Sequence, residues 1–396
     1  NQQQCYDMAY NAFQISEKQK LPVMIRITTR LAHSRAVVSR SGVHSQNSLK
    51  IPTDHTQFIL LPAFARKRYK GLIEAQDSLE SDAYTMGYNQ MYEGEDHSMG
   101  IIASGIAYNY YKEVSIQHNL KYPHLKISHY PIPSKLLTDI AESTEQLILL
   151  EEGYPIIEEM LSGVLKSEYS IKGRLSGDLP RDGELNPGLV AKALGFNYKT
   201  GRELPKGVTS RPPALCKGCS HIDMYNALNE ALEPYGSGRV FSDIGCYTLG
   251  ALPPYNAINS CVDMGASVTM AKGAADAGLL PSVAVIGDST FTHSGMTGLL
   301  DAVMESTSVT VIISDNSTTG MTGGQKSHAT DRLVSICNGL GVDENHIIEI
   351  NPLKKHHEEN TKIISRELQF DGVSVIISRR ECIQTAARRN KQKKNH

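Results

Sequence analysis

The chain has 396 residues, a net charge of −2 and 40% hydrophobic residues, a length that accommodates two or three domains, each with its own core. Lys and Arg are spread through it, so there is no nucleic-acid footprint. No apolar run approaches the about 18 residues of a membrane span, and no signal-peptide pattern is visible.

Residues 5–18 carry the spacing of an amphipathic helix, and Pro22–Ile27 reads as a strand ending at Thr28-Thr29-Arg30. One helix and one strand cannot close a core, so their partner elements are expected elsewhere. Ser39 to Asp54 is rich in Ser, His, Gln and Asn and reads as loop or linker; a basic helical stretch follows over 61–80. Residues 95–165 form an α/β unit. In it Gly100–Gly105 is a strand and turn opening a helix with Tyr108 and Glu113, Leu125–Ile127 is a short strand, and Glu145–Leu150 is another. The glycine spacing is not that of a dinucleotide fingerprint. Glu151 and Glu152 suit acid–base chemistry, but solvated strand-end charges are the plainer expectation. Residues 166–210, punctuated by Pro and Gly, read as a connector, and a third unit is expected from Arg211 to Arg389. The basic run from Arg388 to Lys394 reads as a solvated tail.

The third unit holds the chemistry. Val283–Ile286 leads into Gly287-Asp288-Ser289, and Val309–Ile313 leads into Asp315-Asn316. The 25 residues between, Thr290 to Ser314, provide a helix and its turns. This is a βαβ unit with an oxygen ligand at the carboxyl end of each strand, where open α/β sheets bind ligands. A carboxylate and an amide oxygen suit Mg²⁺, which keeps few protein ligands and completes its octahedron with phosphate oxygens. Ordinary strand-end turns also favour Asp, Ser and Asn. The stretch from Thr318 to Gln325, rich in Gly and hydroxyls, can wrap an anion with backbone N–H groups.

Cys216-Lys217-Gly218-Cys219 precedes a helix that starts near His221, and Cys246 and Cys382 each follow a strand. Cys-x-x-Cys suits a redox dithiol, a zinc site or part of an iron–sulfur site, and four thiolates suit zinc or a [4Fe–4S] cluster equally by count. Cys5, Cys261 and Cys337 read as apolar side chains. Seven cysteines in so long a chain do not make a secreted disulfide scaffold, so a reducing, cytoplasmic setting is expected.

Taken in order, Cys-x-Gly-Cys-x-His, the 243–250 stretch Asp-Ile-Gly-Cys-Tyr-Thr-Leu-Gly, Met264–Ser267, Gly287–Phe291 and Asp315–Gln325 resemble the thiamine-diphosphate domain of the 2-oxoacid:ferredoxin oxidoreductases. The nearest likeness is to the large subunits acting on indolepyruvate. Thr28–Arg30, Tyr130–Pro133, Glu151–Gly153 and Arg379–Ile383 agree with it. Ser289 replaces the second Gly of the usual Gly-Asp-Gly, and Lys217 replaces a usual Pro.

The resemblance implies an α/β thiamine-diphosphate-binding fold with parallel sheets, and a transketolase C-terminal-like α/β domain. It implies the end of a pyrimidine-binding domain over 1–45, a linker over 46–94, the transketolase-like domain over 95–165, the connector, the diphosphate-binding domain over 211–389 and a basic tail over 390–396. It further implies thiamine diphosphate and Mg²⁺, with Asp288, Asn316 and the Thr318 carbonyl on the metal. Gly245, Cys246, Met264, Gly287, Ser289, Thr290 and Met321 would line the cofactor, with Cys216, Cys219, Cys246 and Cys382 around a [4Fe–4S] cluster. His221 and His293 are candidates for acid–base work. The reaction implied is oxidative decarboxylation of an arylpyruvate, with coenzyme A, ferredoxin and a smaller β subunit as partners. The activating Glu and a ferredoxin-like tail fall outside these residues, so the chain reads as a partial subunit. A non-oxidative decarboxylase and a fragment retained for assembly are the rival readings.

Overall fold

The computed structural model describes residues 1–44, 54, 61–162, 169–198, 205, 207–208 and 213–394. Most of the expected linker between 45 and 60, much of 199–210, and Arg211-Pro212 lie outside the described residues. The chain divides into two compact units, Asn1–Leu204 and Pro205–His396.

The first unit begins with α1 (Gln2–Gln19), the short α2 (Thr29–His33), α3 (Pro62–Glu74) and α4 (Gln76–Thr85). Its strands are β1 (Gln90–Tyr92), β2 (Gly100–Ser104), β3 (His124–Ile127), β4 (Leu147–Leu150) and β5 (Ile171–Lys172), in sheet order β1-β3-β2-β4-β5. Only β1 runs antiparallel to its neighbour. Helices α5 (Ala107–His118), α6 (Ser134–Glu142), α7 (Ile156–Ser162) and α8 (Pro187–Ala193) complete it. Alternate residues of the central strands feed two cores: Ile101, Ala103, Ile148 and Leu150 on one face, Ile102, Leu125, Leu147 and Leu149 on the other. Two-sided burial is why these strands read as unbroken apolar runs.

Three expectations are corrected here. Pro22–Ile27 is not a strand: it has no regular secondary structure and joins no sheet among the described residues. The segment around 171–194 contributes β5 and α8, and Leu179, Leu185, Val190 and Ala191 are buried in the core. Glu151 is buried, not solvated: it accepts hydrogen bonds from the Ile157 and Glu158 N–H groups (3.0 and 2.9 Å), capping the start of α7. The buried Arg174 guanidinium ties the following loop together, donating to the carbonyls of Glu151, Pro180 and Gly183 at 2.7–3.1 Å.

The second unit is a six-stranded parallel sheet. Its strands are β6 (Val240–Ser242), β7 (Ser260–Cys261), β8 (Val283–Gly287), β9 (Val309–Asp315), β12 (Ile347–Ile350) and β13 (Val373–Arg379). A small hairpin of β10 (Thr318–Thr319) and β11 (Gln325–Lys326) stands apart from it. Val283, Val285, Ile312 and Ile376 face one core with α9 (Ser220–Leu232) and α14 (His357–Glu367). Ala284, Ile286, Val311, Ile313 and Val375 face the other, with α10 (Ala266–Asp276), α12 (Met296–Met304) and α13 (Leu333–Gly339). The basic segment expected as a tail is helical through α15 (Ile383–Lys394).

The sheet order is β12-β13-β9-β8-β6-β7. From β6 the chain first goes outward to β7, then returns to place β8 on the other side of β6. The order therefore reverses between β6 and β8. The crevice beyond their carboxyl ends is the favoured ligand position of such a sheet.

Candidate active site at the reversal point of the second sheet

Asp243 and Gly245 follow β6, while Gly287 ends β8 and Asp288 opens the single helical turn α11 (Asp288–Thr290). The Tyr247 ring stands between the two glycines. A Cβ on Gly245 would lie 2.2 Å from it and one on Gly287 2.5 Å, so any larger residue at either position collides with the ring. The Tyr247 hydroxyl donates to Asp243, whose other carboxylate oxygen accepts from Ser267 at 2.6 Å. Asp243 thus fastens the first turn of α10 to the end of β6. Burial pushes its carboxyl above the usual range, against these hydrogen bonds.

Asp288 is 3% exposed, and its Oδ2 has no hydrogen-bond partner. Burial raises its carboxyl to about 6; Ser327 opposes the shift by hydrogen bonding and Asp315 adds to it. Gly287 pairs with Ser314 across β8 and β9, so Asp288 and Asn316 leave adjacent strands. Asn316 is buried; its Oδ1 accepts from the Thr318 N–H at 3.1 Å, and its Nδ2 lies 3.4 Å from His221 Nε2. Thr318 Oγ1 donates to the Gln325 carbonyl (2.9 Å), closing the glycine-rich hairpin.

Ser289, the departure from Gly, fits because it lies within a helical turn, and its Oγ shares a hydrogen bond with Thr319 Oγ1 at 2.8 Å. Thr290 is buried behind it. The Met264 carbonyl accepts from Ser294 Oγ at 2.9 Å. Gly265 follows with φ 91°, and a Cβ there would meet Ser294 Oγ at 2.1 Å. Met321 is exposed in the hairpin turn. The two histidines differ. His221 is buried in the first turn of α9, and burial lowers its imidazole to about 4, so it is neutral. His293 is exposed, with Nδ1 3.0 Å from Ser294 Oγ.

Cys219 precedes α9, Cys216 lies one turn before it, Cys246 follows β6, and Cys382 follows β13. The Cys219 thiol is pushed up by burial and then by the neighbouring sulfurs of Cys216, Cys246 and Cys382. Cys246 is raised by burial and by Cys382 and Cys216. Among the described residues these four side chains do not form a group ready to hold a metal ion. Cys337 is fully buried with its thiol raised by burial to about 12, and Cys261 is half-buried against the Asp243 carbonyl. Asp243, Tyr247, Ser267 and Ser327 have no role assigned from sequence. Asp243 carries the same signal as Asp288, a carboxylate at the end of a parallel strand.

Among the described residues, no three His, Cys, Asp or Glu side chains are grouped to hold a metal ion by themselves. A buried carboxylate oxygen without a partner, at the mouth of a glycine-lined crevice, fits a metal–diphosphate group.

Residues 243–376 match the family described as thiamine pyrophosphate enzyme, C-terminal TPP binding domain. The chain is 33% identical over 406 residues to the indolepyruvate oxidoreductase subunit IorA of Archaeoglobus fulgidus, covering 96% of this chain and 64% of that one. Over almost its whole length the chain is similar to IorA subunits. The IorA of Methanothermobacter marburgensis is likewise 33% identical, over 97% of this chain and 65% of its own. The chain thus spans just under two thirds of these IorA relatives. Among solved structures, a 2-oxoglutarate:ferredoxin oxidoreductase from Magnetococcus marinus aligns over 44% of this chain and 66% of its own, at 18% identity and a TM-score of 0.36.

Proposed function

We propose that this chain provides the diphosphate-binding half of a thiamine-diphosphate-dependent oxidoreductase that decarboxylates arylpyruvates oxidatively. The observation that carries the reading is the orphaned, buried Asp288 carboxylate at the reversal point of the second sheet. Asp288, Asn316 and the Thr318 carbonyl would hold Mg²⁺ against the diphosphate. Gly245, Cys246, Met264, Gly287, Ser289, Thr290 and Met321 would line the cofactor. Bound thiamine diphosphate supplies the carbon nucleophile and electron sink that decarboxylation of a 2-oxoacid needs.

The chain's own residues supply binding and placement. Tyr247 keeps the two strand-end glycines in register, and Asp243 anchors the helix that walls the crevice. His221, neutral and buried, would orient the Asn316 amide by accepting from its Nδ2, so that Oδ1, which also accepts from the Thr318 N–H, would be the atom offered to a metal. Cys216, Cys219, Cys246 and Cys382 would bind a [4Fe–4S] cluster, an electron acceptor beside the site. Their support is the Cys-x-x-Cys turn ahead of α9 and the position of Cys246 and Cys382 after β6 and β13. Coenzyme A would accept the acyl group, ferredoxin the electrons, and a smaller β subunit would complete the assembly in the cytoplasm. Calorimetric titration of thiamine diphosphate with and without Mg²⁺ tests the reading, and binding indifferent to both Mg²⁺ and Asp288→Asn refutes it.

A further inference from the structure

The first unit contains a cavity of about 370 Å³. Its floor is built from the carboxyl ends of three parallel strands: Ser104-Gly105 after β2, Ser128-His129 after β3, and Glu152 after β4. From β2 the chain moves to β3 on one side and then to β4 on the other. This is the reversal point of the first sheet, a position where α/β sheets bind ligands. The cavity's walls are mostly apolar, with Met8 and Ile15 of α1 among them. A volume of this size suits a single compact organic molecule.

Six buried side-chain polar atoms lack a hydrogen-bond partner among the described residues, and two of them, His129 Nδ1 and Glu152 Oε2, belong to residues lining this cavity. A buried carboxylate oxygen left unpaired is costly, so its complement is a donor, and His129 Nδ1 accepts as well in the tautomer protonated at Nε2. Among the other polar wall residues, Arg26 is the one cation, and it is exposed. Its Nη2 lies 3.6 Å from where a Cβ on Gly153 would be, placing the guanidinium at the turn directly after Glu152. The cavity thus offers an anion, a cation and an apolar chamber within one strand-end turn.

We propose that this cavity binds an α-amino acid with an apolar side chain, its ammonium on Glu152 and His129 and its carboxylate on Arg26. A simple amine leaves Arg26 unused, and a simple carboxylate meets Glu152 with the wrong sign. A zwitterion with a phenyl or branched aliphatic body satisfies all three groups and fills the chamber. The inference does not rest on the thiamine-diphosphate reading.

The test is calorimetry on the full chain with three probes sharing one ring: L-phenylalanine, phenethylamine and phenylacetate. Phenylalanine is expected to bind, with each of the others weaker by at least about tenfold. Glu152→Gln and Arg26→Met should each lower phenylalanine affinity by about tenfold, and hydrogen exchange should slow at 104–106 and 127–130 when phenylalanine is added. Arg26 is exposed, so its variant reports even if Glu152→Gln does not fold. No phenylalanine binding, equal affinity for the three probes, or affinity unchanged by Arg26→Met overturns the proposal.

Discussion

Asp288→Asn should make the cofactor-free protein more stable at neutral pH while weakening its Mg²⁺-dependent binding of thiamine diphosphate. The carboxyl moves from 3.8 to about 6 on folding, chiefly through burial. The folded state therefore holds this proton more tightly than the unfolded chain does. Stability from this group falls as pH rises from about 3.8 to about 6 and stays reduced above it. At about 1.4 kcal/mol per pH decade, the ionised carboxylate costs up to about 3 kcal/mol at pH 7.5. A bound cation removes that cost by supplying the missing partner.

Asn keeps the size and loses the charge, so the variant should gain roughly 1–3 kcal/mol at pH 7.5 and little at pH 4, after allowing for a weakened contact with Ser327. Wild-type pH dependence alone does not isolate the effect, because His221 acts with the opposite sign. Urea denaturation of wild type and variant at both pH values isolates it by difference, and calorimetry measures cofactor binding. A variant less stable than wild type at pH 7.5, or one that binds the cofactor with Mg²⁺ as well as wild type, refutes the reasoning.

His221 falls from 6.5 to about 4 through burial, so its contribution is full above about 6.5 and is lost as pH drops toward 4. His221→Gln should reduce that acid sensitivity by up to about 3 kcal/mol, read from the same denaturation curves, and an unchanged acid limb contradicts it. Gly287→Ala should cost about 1–3 kcal/mol by forcing the Tyr247 ring aside, whereas Gly273→Ala, in α10 with open space around it, should gain up to about 1 kcal/mol; equal effects on the urea midpoint would discount the ring contact. Anaerobic reconstitution with iron and sulfide should load about four irons per chain and lose most of them in Cys382→Ala. Absence of iron in the wild-type protein would favour a non-oxidative decarboxylase.

Much of the second unit was legible in the residue order. Val283–Ile286 and Val309–Ile313 are apolar without alternation because both sheet faces are covered, and a run of that length ending in Gly-Asp or Asp-Asn marks a strand and its functional end. Local chemistry was enough to put Asp288 and Asn316 just past strand ends and Cys216 to Cys219 in a turn before a helix. It was not enough for Glu151, whose role as the cap of α7 depends on where that helix starts in space, nor for the 171–194 segment, whose Pro and Gly conceal a loop tied down by buried Arg174. Pro22–Ile27 has strand-like composition, yet a strand exists only where a neighbour completes its ladder.

The reversal between β6 and β8 is likewise a property of strand order, which no single segment encodes. That order brings Gly245 and Gly287 to either side of Tyr247 and leaves Asp288 Oδ2 without a partner. Sequence determined which side chains carry oxygen donors, because donor type is a property of each residue. Tertiary structure decided which of those atoms are dehydrated and unpaired, because burial and partnership depend on residues far away in the chain.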